Sequence, residues 1–231
     1  MESYAKYIEG ELAHQPKNTL LEARTLYQQS FGMIPEVTYY KTLERMCKKG
    51  TLVHLTKGLY YRPEISRFGL VPIGEEDIIE YYAGNGRGNV VGYRLYNKKG
   101  LTTQIGTRVE VLSDALSGQK KTIQNIYVTN IGFSLTADAV PVIETLEILQ
   151  NYKKIEDLNK TALGAYMQAY ALSYSDKAAV CVLESRKYKK STIAFLARFL
   201  EFHRVKHSLG NYLSALSVYD VPDMEEFYES A

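Results

Sequence analysis

The sequence predicts an α+β protein of two domains, with a helical region at its C-terminal end. Three observations give this class. In residues 1–62, three segments with helical spacing of apolar residues precede two short β-prone runs. Two further strand patterns lie in residues 108–131, and the last third of the chain again has helical spacing. A chain of 231 residues is long enough for two domains, which we place at residues 1–65 and 66–231.

The first domain begins with three predicted helices. They run from Ser3 to Ala13, from Thr19 to Phe31, and from about Pro35 to Gly50. In each, apolar residues recur three or four positions apart, which is typical of a helix with one buried face. A proline is tolerated in a first helical turn, and a glycine is typical of a helix end, so the third helix has clear limits.

A hairpin is predicted directly after the third helix. Residues 51–62, TLVHLTKGLYYR, contain two β-prone runs on either side of Thr56-Lys57-Gly58. Three helices followed by a hairpin, within about 60 residues, are the order of a winged helix-turn-helix domain. In that fold the third helix enters the major groove of DNA and the hairpin forms the wing, so the sequence predicts a DNA-binding domain.

The distribution of charge favours the same interpretation. The whole chain has a net charge of +2, but residues 36–62 hold six Lys and Arg against two Glu. This positive excess lies on the third helix and the wing, the two elements that would contact the phosphate backbone of DNA.

If Leu43, Met46 and Cys47 face the core, the accessible side of the third helix can be predicted. The remaining side of the third helix and the wing then contribute the predicted DNA-binding residues Thr38, Tyr39, Thr42, Arg45, Lys49, His54, Thr56 and Lys57. The alternative for the helix is an ordinary solvated face. This surface has few basic residues, so tight binding to an operator would need a second copy of the protein or the second domain. We therefore expect that the protein binds inverted-repeat DNA as a dimer.

The second domain has a mixed pattern. Its predicted elements are a helix from Gly74 through Tyr82, strands at 108–112 and 122–131, a helix from Ala139 to Tyr152, and a helical tail from Lys154 to about Tyr219. Residues 90–98 fit a helix or a strand, and we favour a short helix. The basic run at 186–190 is expected to be a helix end or a solvated loop, with nucleic-acid contact as the alternative.

The sequence contains no motif that supports catalysis or metal binding. Cys47 and Cys181 form no CxxC pattern, and the glycines of residues 84–89 lack the Lys-Ser/Thr of a phosphate-binding loop. His203 and His207 stand four apart on the predicted tail helix, but no third ligand accompanies them. We expect no catalytic residue, no cofactor and no metal site. No apolar run reaches the roughly 18 residues that span a bilayer, so we expect a cytoplasmic protein without membrane contact.

Two stretches resemble a known family, the AbiEi-type antitoxins of bacterial abortive-infection toxin–antitoxin systems. They are residues 43–61, LERMCKKGTLVHLTKGLYY, and residues 100–104, GLTTQ, followed by the predicted strand pair; the resemblance extends over residues 37–62 and 71–150. It implies that an N-terminal winged helix binds operator DNA and represses its own operon. It also implies that a second α+β domain acts as antitoxin against a nucleotidyltransferase-like toxin encoded alongside.

Together these observations predict a DNA-binding autorepressor and antitoxin that is not an enzyme. A second hypothesis is a winged-helix module that binds another protein and no specific DNA. A third, a nucleotidyltransferase, lacks the Gly-Ser and paired Asp residues expected of that class.

Overall fold

The structure is a computed structural model that describes residues 3–228. The chain forms two compact units, one ending at Tyr81 and the other beginning at Tyr82. The boundary predicted after residue 65 lies earlier, and the intervening residues form a hairpin and most of a helix. Helices and several sheets occur together, so the predicted α+β class is confirmed.

The first unit begins with α1, whose start and buried face are determined by its own sequence. Ser3 caps the helix by accepting a hydrogen bond from the Lys6 amide, and Ile8 and Leu12 are buried four positions apart. A π-helical turn at Tyr27–Phe31 continues α2. The elements are α1 (Tyr4–Ala13), β1 (Leu20–Glu22), α2 (Ala23–Leu26), α3 (Glu36–Lys48), β2 (Val53–Thr56), β3 (Leu59–Tyr61), β4 (Glu64–Ser66), β5 (Gly69–Val71) and α4 (Glu75–Ala83), which ends in the second unit.

A three-stranded antiparallel sheet in the order β1-β3-β2 completes the winged helix-turn-helix. Leu20 of β1 and Val53 of β2 both pair with Tyr61 of the central strand. The strand β1 was predicted as the start of the second helix, and that assignment was wrong. Pairing with β3 satisfies the backbone of β1 and buries Leu20 and Leu21, which outweighs their helical preference.

A second hairpin follows the wing and was not predicted. Its strands, β4 and β5, pair antiparallel, with Ile65 opposite Leu70 and Ser66 opposite Gly69. Gly69 has a φ of +108°, a backbone angle that favours glycine at this turn. Strands of three residues give too short a pattern for sequence analysis to separate from a loop.

The second unit contains a four-stranded mixed sheet in the order β6-β7-β9-β8, in which β7 and β9 are parallel. The strand predicted at 122–131 is in fact two strands, because Gln124 adopts a φ of +53° and reverses the chain. The short helix predicted within 90–98 begins later, after a strand. The elements are β6 (Gly88–Val91), α5 (Tyr93–Lys98), β7 (Val109–Ser113), β8 (Lys120–Ile123), β9 (Ile126–Asn130), α6 (Ala139–Asn151), α7 (Lys160–Leu172), α8 (Asp176–Ser185) and α9 (Lys190–Phe202).

Helix α6 forms the centre of the second unit's core and confirms the helix predicted from Ala139. It packs against α8 and α9. The predicted tail helix does not extend to Tyr219, because α9 ends at Phe202. Arg204 takes a left-handed φ of +58°, and the Val205 amide donates to the Leu200 carbonyl at 2.8 Å, which closes the helix end. Among the described residues, no helix is both long and apolar enough to span a bilayer.

Two helical glycines offer a matched stability test. A Cβ on Gly164 in α7 would collide with the carbonyl of Phe227, whereas a Cβ on Gly10 in α1 would meet nothing within 4 Å. We predict that Gly164→Ala lowers the free energy of unfolding by about 1–3 kcal/mol and that Gly10→Ala raises it by about 0.5–1 kcal/mol. Urea unfolding followed by circular dichroism measures both. Equal effects of the two substitutions would contradict the close packing at Gly164.

Buried tyrosines predict a loss of stability in alkali. Burial raises the pKa of Tyr166 to about 12 and also raises the pKa of Tyr96 and Tyr170. In the unfolded chain these hydroxyls ionise near pH 10. The folded state therefore holds more protons above that pH, so the free energy of unfolding falls as pH rises from about 10 to 12. Urea titrations at pH 9 and pH 11 test this, and equal midpoints would contradict it.

Candidate nucleic-acid interface

The burial of α3 decides which of its side chains are accessible. Tyr39, Leu43 and Met46 are buried at 4% exposure or less, so they define the side that faces the core. The opposite stripe, at helical spacing, consists of Val37, Lys41, Glu44 and Lys48, all exposed. Arg45 lies at the edge of this stripe and is also exposed.

Two predicted DNA contacts, Tyr39 and Thr42, lie in the core instead, so that prediction was wrong. Both are 0% exposed. The Tyr39 hydroxyl donates to the Ala23 carbonyl at 3.0 Å, and the Thr42 hydroxyl donates to the Thr38 carbonyl at 2.8 Å. Tyrosine and threonine combine apolar surface with one polar group, and here each polar group is satisfied inside the protein.

The other predicted residues of α3 remain accessible in different degrees. Thr38 is half-buried, whereas Arg45 and Lys49 are exposed. Lys49 pairs with Glu9 of α1 at 3.0 Å, which ties the end of α3 to the first helix. Lys41 and Lys48 were not predicted. The spacing of three and then four residues between Lys41, Glu44 and Lys48, opposite Leu43, was the signal that would have found them.

Arg45 is held against its own helix. Its Nε donates to the Lys41 carbonyl and its Nη2 to the Thr42 hydroxyl, each at 3.3 Å. These bonds leave part of the guanidinium fork open to solvent on the exposed edge of α3. An arginine fork in this position has the geometry to bind a phosphate or a guanine edge.

The wing presents His54, Thr56 and Lys57 near its tip. His54 and Lys57 are exposed and Thr56 is half-buried. Gly58 has a φ of +73° and allows the tight reversal after Lys57. A register shift between His54 and Thr56 bends the hairpin before the tip.

Aromatic side chains connect the wing to α3. His54 and Tyr60 are opposite each other in the wing, and their rings lie 4.8 Å apart on the same face of the hairpin. Burial raises the pKa of Tyr60, with smaller contributions from Cys47 and Tyr40 of α3. Both neighbours lie on α3, and all three residues pack against the same buried core of the first unit.

The acidic residues of this surface are already paired or lie at its margin. Glu44 pairs with Lys48 at 2.7 Å across one helical turn, and both side chains are well exposed. An exposed pair of this kind contributes little to stability, so a phosphate can compete for the lysine. We call the surface formed by Lys41, Arg45 and Lys48 of α3 and by His54 and Lys57 of the wing the basic face.

The histidine pair and the basic run that were considered for other chemistry lie in the second unit. Within residues 3–228, no group of three or more His, Cys, Asp or Glu side chains is placed to hold a metal ion. His203 lies beyond the end of α9, and its Nε2 is 2.7 Å from the Tyr228 hydroxyl. The basic run at 186–190 joins α8 to α9, and Arg186 pairs with Glu147 at 3.0 Å.

A family model described as "Family of unknown function (DUF6088)" matches residues 25–137, which include α3, the wing and the mixed sheet. The comparison with curated proteins gives no match. Among solved structures, the chain is similar to the one titled "Crystal structure of RV2827C protein from Mycobacterium tuberculosis", at 12% identity and a TM-score of 0.42, over 85% of this chain and 75% of that one.

The orientation of α3 can be tested without any ligand. We predict that Tyr39→Phe lowers the free energy of unfolding by about 1 kcal/mol, because it removes a buried hydrogen bond. Lys41→Ala, two positions away on the exposed side, should change it by less than about 0.5 kcal/mol. Urea unfolding of the two variants measures the difference. A larger loss for Lys41→Ala would show that the helix is rotated from this orientation.

Proposed function

We propose that this chain is a cytoplasmic, DNA-binding transcriptional autorepressor and the antitoxin of an abortive-infection-type toxin–antitoxin system. One observation supports DNA binding most directly. In the first unit, α3 exposes Lys41, Arg45 and Lys48, with Tyr39 and Leu43 turned inward, and the wing that follows it exposes His54 and Lys57.

In the proposed complex, α3 lies in the major groove and the wing lies along the adjacent backbone. Lys41 and Lys48 are placed to neutralise phosphates, and Arg45 to contact a base edge or a phosphate. Lys57 at the wing tip contacts the backbone. Phosphate contacts supply affinity on any sequence, whereas base contacts specify the operator. The small number of cations favours an inverted-repeat operator that binds two copies.

The antitoxin part of the proposal is supported by the resemblance over residues 37–62 and 71–150. The second unit would be the effector, acting against a nucleotidyltransferase-like toxin encoded alongside. We propose no catalytic role for this unit. Its most buried carboxylates, Glu144 and Glu147, pair with Lys99 at 2.6 Å and Arg186 at 3.0 Å, an arrangement that suits structural ion pairs.

A protein-interaction module without specific DNA binding is the second candidate. Two exposed apolar residues at the start of α3 favour it: Met33 is 97% exposed and Val37 is 66% exposed. On DNA, the same side chains would contact thymine methyl groups. Binding to a purified partner together with no binding to any duplex would select this candidate.

We predict that Arg45→Ala and Lys57→Ala each weaken binding to DNA from upstream of the protein's own gene by about tenfold. Lys57→Ala should also reduce the slope of log affinity against log salt concentration by about one, because one phosphate contact is lost. Mobility shifts at two salt concentrations, with an unrelated duplex for comparison, measure both effects.

The matched control is Lys6→Ala, which removes one exposed cation from α1 of the same unit. It should leave specific binding unchanged. Unchanged affinity in both Arg45→Ala and Lys57→Ala would refute the basic face as the contact surface. If the unaltered protein binds no duplex at low salt, the DNA-binding proposal itself is wrong.

A further inference from the structure

A cavity in the second unit has a positively charged lining. It has a volume of about 320 Å³ and is lined by the end of α6, the turn after it, the start of α9 and residues 220–222. Its charged residues are Lys153, Lys154, Lys189 and Asp220. Asp220 pairs with Lys153 at 2.6 Å. Within residues 3–228, Lys154 and Lys189 have no carboxylate at ion-pair distance. Two cations of the cavity are therefore uncompensated, and they attract an anion.

The first turn of α9 lacks an internal cap. An N-cap residue is typically Ser, Thr, Asp or Asn, whose side-chain oxygen accepts from a free amide of the first turn. The N-cap here is Lys189, whose ammonium has no acceptor, and no described side chain replaces it. The Lys189 amide donates to the Gln150 side chain at 3.3 Å, but the amides of Lys190 and Ser191 have no acceptor within residues 3–228. These two amides can bind an anion.

A buried threonine lies next to these free amides. Thr192 lines the cavity and is only 3% exposed. Its amide donates to the Lys189 carbonyl at 2.9 Å, whereas its hydroxyl makes no hydrogen bond with any described residue. Buried polar groups are nearly always hydrogen-bonded, because an unsatisfied one is costly. An oxygen atom of a ligand in this cavity would satisfy the Thr192 hydroxyl.

The aromatic part of the lining indicates what the anion is attached to. Tyr152 and Phe195 line the same cavity, with their rings 5.1 Å apart in an edge-to-face arrangement. A volume of about 320 Å³ is in the range of sites for small organic ligands and is more than a bare phosphate needs. An organic body can pack on the aromatic side chains while its anionic end reaches the start of α9.

We propose that this cavity binds a small organic phosphate, with the phosphate group at the start of α9. Three terminal oxygens and a charge near −2 suit the donors gathered there, which are the amides of Lys190 and Ser191, the Thr192 hydroxyl, and the ammonium groups of Lys154 and Lys189. A carboxylate offers two oxygens and one charge to the same donors. This site goes beyond the proposed function and does not depend on DNA binding.

Titration of the isotope-labelled full chain with adenosine monophosphate, followed by the NMR shifts of the backbone amides, tests the proposal. The amides of residues 189–192 should shift most and saturate with a dissociation constant below about 1 mM. Adenosine should bind at least about tenfold more weakly, because it lacks the charge-assisted hydrogen bonds of the phosphate. Inorganic phosphate should shift the same amides but bind more weakly than the nucleotide. Equal affinity for the two would assign the cavity to free phosphate and overturn the organic body.

Two substitutions separate binding from folding. Lys189→Asp places a carboxylate at the N-cap, where it satisfies the free amides itself. It should weaken nucleotide binding at least about tenfold and yet raise the midpoint of urea unfolding. Thr192→Val removes the hydroxyl with little change of shape. It should weaken binding about fivefold without lowering the urea midpoint, because the hydroxyl has no partner in the protein itself.

Lys187→Asp is the matched control, with the same change of charge as Lys189→Asp. Lys187 is exposed in the same basic run but does not line the cavity, so its substitution should change the affinity by less than about threefold. Equal losses in the two variants would overturn the proposal, and so would the absence of a saturable shift up to about 10 mM nucleotide. Tighter binding of an oligonucleotide without terminal phosphates to the same amides would also overturn it. None of these results bears on operator binding by the first unit.

Discussion

The rotation of α3 about its own axis depends on Tyr39. Its ring packs 5.2 Å from those of Phe31 and Tyr27, and its hydroxyl is hydrogen-bonded to the Ala23 carbonyl at 3.0 Å. One buried side chain thus joins α3 to α2 and the turn that follows it. With Tyr39 inside, helical geometry turns Lys41 and Lys48 outward. The basic face exists because this aromatic contact is made.

The two units combine different kinds of stabilisation. In the first, a small core of mainly aliphatic side chains around Phe31 and Tyr39 is completed by the three-stranded sheet. In the second, α6 is buried along nearly its whole length, and two of its glutamates are matched by Lys99 and Arg186. A buried carboxylate that loses its partner is costly, so these pairs constrain how α6 packs.

Sequence analysis predicted the elements of the first unit better than their orientation. Strong apolar periodicity and the Lys57-Gly58 turn were sufficient for α3 and the wing. Tyr39 and Thr42 were misplaced because both residue types are compatible with a core or a surface, and only the tertiary hydrogen bonds decide between them. Leu20 and Leu21 fit a helix equally well until pairing with β3 makes them a strand. Beyond the end of α9, Arg204 adopts the left-handed conformation although it is not a glycine. The sequence therefore gave no signal for the end of this helix.

The proposed DNA-binding function requires that DNA contacts the exposed side of α3 together with the wing. Hydrogen–deuterium exchange of the full chain, with and without a duplex from upstream of its gene, tests this most directly. We expect slower exchange on adding DNA in residues 36–48 and 53–61, with little change in α6. Protection confined to the second unit, or none with a duplex that is demonstrably bound, would contradict the claim.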